Sequence, residues 1–420
     1  HALLPTLGTA AVIAAGPAAG ERGPIALIGR PVWTWVGGLS YSLYLWHWPL
    51  IVIATVAFDG LTQLEGIAVA LLSVLPAWLT LRVVENPVRF GQRFSVNSWL
   101  TLRLGALLTA VGLAAGVGLI GATALATEEP VANPRGAAEI RSPEQHRFAT
   151  VADGANPDPL QAVEDVPDAY ARGCQAGQTS PEPIFCEYGD PYGSVDVVLV
   201  GDSKALQWIS ALDSIGEQRG WRVRTYTKSS CPFTPATIAL NGQPYANCAQ
   251  WGRNVEAELL REPPDAVITS QFRSTALTDP ADGSSPQTVD VMTAGLRERW
   301  SRLAEAGSRV VVLRDNPTPT DDVQPVYECV DANRDDVTPC VFSRAVGERT
   351  GGQPAQSAAA RGLDGVHTVS LNDFICPGTT CPPVIGDALV YRQGSHLTRT
   401  YVDTLEPRLA ERLAAIVERG

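Results

Sequence analysis

A serine and a histidine in the C-terminal part of the chain are the residues best placed to do chemistry. Ser203 lies in Gly201–Asp202–Ser203, directly after the apolar run Val195–Val200, and His396 precedes the last predicted helix. Because a serine needs a base to become a nucleophile, and histidine is the usual base, the pair predicts nucleophilic catalysis. The alternative is that Ser203 only caps a helix and that His396 is a surface histidine.

The segments around these two residues predict an α/β domain. Short apolar or β-branched runs alternate with amphipathic segments, the pattern of a parallel sheet flanked by helices on both faces. Five runs predict strands: Val195–Val200, Arg222–Tyr226, Ala266–Ser270, Arg309–Leu313 and Val366–Val369. Lys204–Arg219 and Val289–Ala306 predict helices, and a last helix places Tyr401, Leu405, Leu409, Leu413 and Ile416 on one face. Ser203 then lies at the carboxyl end of a strand, where sites form in open α/β sheets.

All eight cysteines lie in this same part of the chain. An even number confined to one domain predicts disulfides in an oxidising compartment, and eight cysteines allow 105 pairings among which the sequence alone does not choose. We expect pairing of sequence neighbours: Cys174–Cys186, Cys231–Cys248, Cys329–Cys340 and Cys376–Cys381. The alternative, a zinc site, is disfavoured because the sequence contains no Cys-x-x-Cys and no histidines cluster near the cysteines. We therefore expect no metal.

The N-terminal part of the chain contains four apolar segments, near Leu3–Ala15, Trp35–Phe58, Leu64–Val84 and Leu102–Ala126. The last three reach the ~20 residues that a membrane-spanning helix needs. The first starts near His1 and is shorter, so we expect the sequence to be the C-terminal piece of a longer membrane protein. We divide the chain into membrane helices at 1–126, a linker rich in Pro, Ala and Asp at 127–170, and the α/β domain at 171–420.

The charges between the apolar segments predict how the chain crosses the membrane. Arg22 and Arg30 lie in one link and Arg89 and Arg93 in another, whereas the link between the second and third segments carries Asp59 and Glu65. By the positive-inside rule the two arginine-bearing links are cytoplasmic, which places the α/β domain outside the plasma membrane of a bacterium. The cysteine distribution agrees with this. A formal net charge of -12 argues against nucleic acid as a partner.

His47 lies inside the second apolar segment, close to Pro49. An ionisable side chain in a membrane helix indicates function by default, and the alternative is a structural histidine bonded to a neighbouring helix. The aromatic residues around it are typical of membrane anchoring and helix packing, rather than of a binding site: Trp33, Trp35, Tyr41, Tyr44, Trp46 and Trp48.

Several of these segments together resemble a known family. Val197–Cys231 (VVLVGDSKALQWISALDSIGEQRGWRVRTYTKSSC) and Tyr391–Thr398 (YRQGSHLT) resemble the first and last sequence blocks of the SGNH hydrolase domains that are fused to acyltransferase-3 membrane domains. Gly37–Val52 (GGLSYSLYLWHWPLIV) and Val83–Phe90 (VVENPVRF) resemble the last helices of the acyltransferase-3 family. The catalytic His and Arg proposed for that membrane domain lie in its first helices, so His47 is not assigned that role.

The resemblance implies a role for each candidate site residue. Ser203 would be the nucleophile and His396 its base, and the oxyanion would face the Ser203 N–H and residues near Asp202, Ser230 and Gln271. The family usually carries Asp three residues before the histidine, and Gln393 occupies that position here. We expect a neutral acceptor, the Gln393 side-chain oxygen, to orient His396 instead; a main-chain carbonyl, or Asp387 folding back, is the alternative.

The resemblance also implies an activity. We expect transfer of an acyl group, most simply acetyl from acetyl-CoA used by the membrane domain, to hydroxyls of a cell-envelope glycan or glycolipid, with the lipid bilayer as the other partner and no cofactor bound. One alternative is an esterase that removes such groups, because the active groups would be the same. The other is a non-catalytic glycan-binding module, which the missing Asp keeps open.

Overall fold

The chain forms two compact units, His1–Thr123 and Ala124–Gly420. A computed structural model describes residues 3–15, 29–58, 61–91, 98–126, 131–141, 152 and 154–418. Arg22, Asp59 and Arg93, on which part of the orientation argument depends, lie outside the described residues. The orientation in the membrane therefore stays a prediction.

The first unit is helical. Its helices are α1 (Leu3–Ala15), α2 (Pro31–Ala57), α3 (Gln63–Leu72), α4 (Val74–Thr80), α5 (Asn86–Phe90) and α6 (Ser98–Ala126), with a π-helical turn at Leu81–Glu85. Residues at the N-termini of two of these helices favour helix initiation there. Pro31 occupies the first turn of α2, and Thr62 and Glu65 form a capping box at the start of α3.

Two described stretches are long and apolar enough, by length and composition, to cross a membrane: Gln63–Phe90, of 28 residues, and Ser98–Gly121, of 24 residues. No described side chain of the second stretch is buried within the chain, which distinguishes it from the core helix of a soluble domain. The helix α2 is 27 residues long and is not one of these two stretches. Crossing by α2 stays a prediction.

The second unit is built on a seven-stranded sheet. Its strands are β1 (Gln175–Ala176), β2 (Phe185–Gly189), β3 (Val195–Gly201), β4 (Trp221–Lys228), β5 (Ala266–Ser270), β6 (Arg309–Leu313) and β7 (Val366–Val369). They lie in the order β1–β4–β3–β5–β6–β7, and all these pairs are parallel. β2 is antiparallel to β4. The predicted parallel sheet is confirmed, and the edge strands β1 and β2 were not predicted.

Nine helices follow in the described part of this unit: α7 (Ser203–Leu206), α8 (Ile209–Arg219), α9 (Ala246–Arg261), α10 (Val289–Glu305), α11 (Val326–Ala332), α12 (Arg344–Gly347), α13 (Gln353–Ala360), α14 (Asn372–Ile375) and α15 (Arg399–Val417). The prediction of a helix over Lys204–Arg219 is only partly right, because the segment forms two helices separated at Gln207 and Trp208. The predicted apolar face of α15 is confirmed, because Tyr401, Leu405, Leu409 and Leu413 are buried and Ile416 is partly buried.

Helices cover both faces of the sheet, which explains why β3 is apolar from Val197 to Val200. Val197 and Leu199 point to one core, which they share with α8 and α15. Val198 and Val200 point to the other, with α9, α10 and α13. Successive side chains of a strand alternate between faces, so a strand buried on both sides needs an unbroken apolar run.

Shorter elements complete the unit. Two-stranded pairs join Ala239–Leu240 to Gln243–Pro244, Ala276–Leu277 to Gln287–Thr288, Phe342–Ser343 to Thr380–Cys381, and Val384–Ile385 to Ala388–Leu389. Single 3-10 turns occur at Gly136–Glu139, Pro159–Glu164, Asp321–Val323 and Thr338–Cys340.

The described parts of the expected linker pack on the α/β domain. Ala137, Ile140 and Ala162 are buried in its core. Asp165 accepts hydrogen bonds from the main-chain N–H groups of Arg399 and Thr400, at the start of α15. This segment therefore stabilises the first turn of the helix that follows His396 in the chain.

The structure contains all four disulfides between sequence neighbours: Cys174–Cys186, Cys231–Cys248, Cys329–Cys340 and Cys376–Cys381. Their Cα atoms are 5.6, 5.5, 5.8 and 4.1 Å apart. The Cys231–Cys248 bridge joins the loop after β4 to the first turn of α9, at the carboxyl edge of the sheet.

Candidate active site

Ser203 lies where β3 ends and α7 begins. Gly201 makes this turn possible, because its φ is +148° and a Cβ there would lie 2.3 Å from the Ser270 carbonyl oxygen and 2.9 Å from the Ala205 Cβ. The main-chain N–H of Ser203 donates to no other group in the described part of the chain. The turn therefore presents a hydroxyl and a free N–H at the carboxyl edge of the sheet.

His396 contacts Ser203 directly, with 2.8 Å between its Nε2 and the serine Oγ. Its Nδ1 lies 3.2 Å from the main-chain carbonyl oxygen of Gln393. A carbonyl oxygen only accepts, so Nδ1 carries the ring proton and Nε2 is free to accept from Oγ–H. The main chain therefore sets the tautomer of the histidine that a general base requires.

The expected role of the Gln393 side chain needs correction. The group that contacts Nδ1 is the main-chain carbonyl, while residue 393 itself is exposed. Asp387, the other candidate, has a left-handed backbone conformation, and its carbonyl accepts from the Asn156 N–H. The orienting group is therefore independent of the side chain at position 393, because any residue supplies a carbonyl there.

The surroundings of His396 favour its neutral form. Burial lowers its pKa to about 3, and the positive charges of Lys204 and Arg392 act in the same direction, against the smaller effect of the Gln393 carbonyl. The imidazole is thus neutral over the physiological pH range. It can take the serine proton, but the site contributes no carboxylate to stabilise the imidazolium that results.

Asp202 connects two loops of the site beneath the nucleophile. Its Oδ1 accepts from the Lys204 N–H at 2.8 Å, and its Oδ2 accepts from the Phe272 N–H at 3.0 Å. Burial raises the pKa of this carboxyl to about 6, opposed by the two hydrogen bonds. Asp202 therefore holds the loop after β5 against the start of α7, with both oxygens engaged.

A buried polar network that sequence reasoning missed holds the histidine loop. The Lys204 ammonium lies 3.1 Å from Asp315 Oδ1, 2.6 Å from Asn316 Oδ1 and 2.7 Å from the Ser395 carbonyl oxygen. Three acceptors match the three protons of an ammonium group. Burial lowers the pKa of Lys204, while Asp315 and Asp202 act to raise it.

The same network fixes both neighbours of His396. The Asn316 side-chain amide donates to the Ser395 carbonyl oxygen at 2.8 Å, and the Gln207 side-chain oxygen accepts from the Leu397 N–H at 3.2 Å. Lys204 and Gln207 follow the nucleophile in the chain, so one short segment positions both Ser203 and His396. The one signal in the sequence was a pair of polar residues, Asp315 and Asn316, separated from the end of a buried strand by one residue.

Ser203 and His396 open into a cavity of about 330 Å³, lined by Asp202, Ser203, Ser230, Phe272, Arg273, Gln393, Gly394, Ser395 and His396. Ser230 has φ +55°, a conformation that favours glycine, and its N–H donates to no other described group. It is therefore available as a second oxyanion donor. Gln271 needs correction as an oxyanion ligand: it is buried outside the lining, and its Oε1 lies 3.4 Å from Gln356 Nε2.

His47 lies in the other unit. Its Nδ1 is 3.0 Å from the Leu43 carbonyl oxygen and 3.1 Å from that of Tyr44, both in its own helix. These contacts are local to α2, and a functional role for His47 stays a prediction. Among the described residues, no group of three or more His, Cys, Asp or Glu side chains is arranged to hold a metal ion.

Comparisons with known proteins point to one family. A family model described as "SGNH domain (fused to AT3 domains)" matches residues 173–411, more than half of the chain. No curated protein sequence matches it. The periplasmic domain of a lipopolysaccharide acetyltransferase from Salmonella ser. Paratyphi A is similar, with 14% identity and a TM-score of 0.41 over 58% of this chain and 87% of that one.

Two further solved structures are similar to the chain. One is a putative acylhydrolase from Bacteroides fragilis NCTC 9343, with 13% identity and a TM-score of 0.33 over 55% of this chain and 91% of that one. The other is a GDSL-like lipase from Bacteroides thetaiotaomicron VPI-5482, with 13% identity and a TM-score of 0.30 over 52% of this chain and 88% of that one.

Proposed function

Because this chain belongs to the family of SGNH domains that are fused to AT3 (acyltransferase-3) domains, we propose that it transfers an acyl group to hydroxyls of a cell-envelope glycan or glycolipid. The observation that supports this most directly is the 2.8 Å contact between Ser203 Oγ and His396 Nε2 inside an accessible cavity. A non-catalytic glycan-binding module would not need a histidine whose Nε2 is free to accept the serine proton. The contact therefore favours a catalytic role.

The first half of the reaction forms an acyl-enzyme. Ser203 Oγ attacks the carbonyl carbon of the acyl donor while His396 Nε2 takes the hydroxyl proton. The oxyanion that develops would face the main-chain N–H groups of Ser203 and Ser230. When the carbon–oxygen or carbon–sulfur bond to the leaving group breaks, the imidazolium returns its proton to that group, and the base is neutral again.

The second half releases the acyl group. An acceptor hydroxyl loses its proton to His396 Nε2 and attacks the acyl carbon. The ester bond to Ser203 then breaks, the imidazolium returns the proton to Ser203 Oγ, and the products are the O-acylated glycan and the free enzyme. Water in place of the glycan gives hydrolysis with the same groups. Fusion to an acyltransferase domain in the family favours transfer.

Two variants of the full chain in detergent micelles test the nucleophile. Ser203→Ala should lower turnover of p-nitrophenyl acetate at least about 1,000-fold, because loss of a nucleophile removes the covalent route. Ser194→Ala, an exposed serine at the opposite end of β3, is the matched control and should behave as wild type. Product analysis with and without added methyl glycosides then separates transfer from hydrolysis. Full activity of Ser203→Ala would refute the assignment.

We propose that the acyl group reaches this site from acetyl-CoA through the membrane domain, with the α/β domain outside the bacterial plasma membrane. The apolar stretches Gln63–Phe90 and Ser98–Gly121 and the four disulfides support this placement. Protease added to intact spheroplasts should remove an epitope tag placed after Gly420. If the tag is cleaved only after lysis, the α/β domain is on the cytoplasmic side and the proposed topology is wrong.

A further inference from the structure

The proposed catalytic cavity contains one cationic side chain that forms no ion pair in the described part of the chain. Of its charged or titratable lining residues, Asp202 has both carboxylate oxygens engaged by main-chain N–H groups, and burial keeps His396 neutral. The third is Arg273, which is half-buried and forms no ion pair with any described acidic residue. Arg273 lines the same cavity as Ser203.

Other partly buried arginines of the domain contact protein groups, which include main-chain carbonyls for Arg297, an amide oxygen for Arg314 and carboxylates for two more. Arg344 contacts Glu348 at 2.9 Å and Asp373 at 2.8 Å, and Arg334 contacts Asp158 at 2.9 Å. A guanidinium loses hydration when it is partly buried, and a bidentate carboxylate or phosphate replaces that hydration best. Arg273 has the same need without a partner in the described part of the chain.

The main chain around Arg273 is held in place on both sides. Before it, the Phe272 N–H donates to Asp202. After it, the Ser274 hydroxyl donates to the Gly351 carbonyl oxygen. These two contacts hold the main chain on either side of Arg273, whose side chain lines the cavity. A fixed backbone lowers the entropy cost of ligand binding by that side chain.

We infer that Arg273 binds a carboxylate group of the substrate while Ser203 and His396 act on its acyl ester. This inference rests on the proposed function of the same cavity. The Phe272 ring, 43% exposed, lies next to Arg273 and offers an apolar surface to the acyl chain or to a sugar ring. The anionic group has two possible sources, an acidic sugar in the acceptor or a dicarboxylic acyl group.

Matched substrate pairs distinguish the two sources, with the full chain in detergent micelles. Methyl glucuronide and methyl glucoside are compared as acceptors from p-nitrophenyl acetate. The p-nitrophenyl monoester of glutarate and p-nitrophenyl pentanoate are compared as donors. Each pair is measured with wild type, Arg273→Gln, Arg273→Lys and Arg361→Gln. Arg361 is an exposed arginine before β7, at the amino edge of the sheet, and serves as the control.

For one of the two pairs, Arg273→Gln should lower kcat/KM for the anionic member by about 10- to 100-fold, the loss expected for a charge-assisted hydrogen-bond pair. The neutral member should change less than about 2-fold, because it lacks the group that the guanidinium binds. Arg273→Lys should recover part of the effect, since lysine keeps the charge but not the bidentate geometry. Equal losses on both members, or no loss on either pair, would overturn the inference.

A binding measurement separates this inference from the proposed function. Calorimetric titration of methyl glucuronide and of glutarate into the Ser203→Ala chain needs no turnover. If wild type shows no acyl turnover but one anion binds to Ser203→Ala and not to the variant that also carries Arg273→Gln, the proposed function fails and the anion site stands. If the chain turns over acyl esters but neither turnover nor anion binding depends on Arg273, the proposed function stands and the anion site fails.

Discussion

Replacement of Gln393 by Asp tests how the histidine is oriented and charged. Position 393 already places its main-chain carbonyl 3.2 Å from His396 Nδ1. A carboxylate on the same residue would add negative charge close to the ring and stabilise the imidazolium that forms as Ser203 loses its proton. We expect Gln393→Asp to raise both the pKa of His396 and the rate of ester turnover.

The size of the change in the His396 pKa follows from the distance between the new carboxylate and Nδ1 and from the exposure of residue 393. A carboxylate attached to residue 393 would lie roughly 5 Å from Nδ1, where two unit charges interact by about 3 kcal/mol at an effective dielectric constant of 20. Residue 393 is exposed, and solvent screening reduces such interactions by half or more. About 1 to 1.5 kcal/mol remains, which is roughly one pKa unit and a tenfold change in rate.

The assay is kcat/KM for p-nitrophenyl acetate across the pH range, with folding followed by circular dichroism at each pH. His396 must be neutral to act as a base, so activity falls as pH drops through its pKa. Since burial lowers the pKa of His396 to about 3, wild type should keep its activity well below pH 6. In Gln393→Asp the acid limb should move up by about one pH unit, with a higher plateau.

The matched control is Gln393→Ala, which should stay within about 2-fold of wild type, because every residue type supplies the orienting carbonyl. A loss above 10-fold in Gln393→Ala would show that the side chain orients His396. A wild-type acid limb near pH 6.5 would show that His396 titrates as an ordinary solvated histidine. Either result would refute the reasoning.

Three further perturbations test the supports of the site. Lys204→Met should lower the free energy of unfolding by about 3–5 kcal/mol, because it leaves Asp315 as an unpaired buried charge; adding Asp315→Leu should recover most of this in urea titrations. Ser230→Gly should keep full esterase activity, since it keeps the N–H, whereas Ser230→Val should cost about 1 kcal/mol or more of stability at φ +55°. Loss of the Cys231–Cys248 bridge in a double alanine variant should lower stability by about 3 kcal/mol for a loop of this length, read as a lower melting temperature.

The parts of the fold that could be predicted are those set by residues close to one another in the sequence. The apolar runs Ala266–Ser270 and Arg309–Leu313 are strands because a buried strand needs an unbroken apolar surface, which the sequence records locally. Pairing of neighbouring cysteines was predictable for a similar reason, since short loops bring their ends together most often. Ser203 and His396 were recognisable because their positions at the ends of elements are also local features.

Local sequence patterns gave wrong predictions where contacts between residues far apart in the chain decide the structure. The segment Lys204–Arg219 contains no helix breaker near Gln207, yet the helix is interrupted there, where the Gln207 side chain bonds Asn316 and Leu397. Gln271 was a candidate by the family resemblance, but its side chain contacts Gln356 and does not line the cavity. Neither outcome follows from the residues nearby.

The sequence by itself determined that a serine and a histidine, the residue types of a nucleophile and its base, lie at the ends of elements of a parallel α/β domain. Only the tertiary structure decided what orients and supports them. The acceptor at His396 is a main-chain carbonyl, which every residue has and no sequence pattern can mark. The Lys204 ammonium and the Asn316 amide lie 112 positions apart in the chain, and they meet because folding brings the carboxyl ends of β3 and β6 to one edge of the sheet.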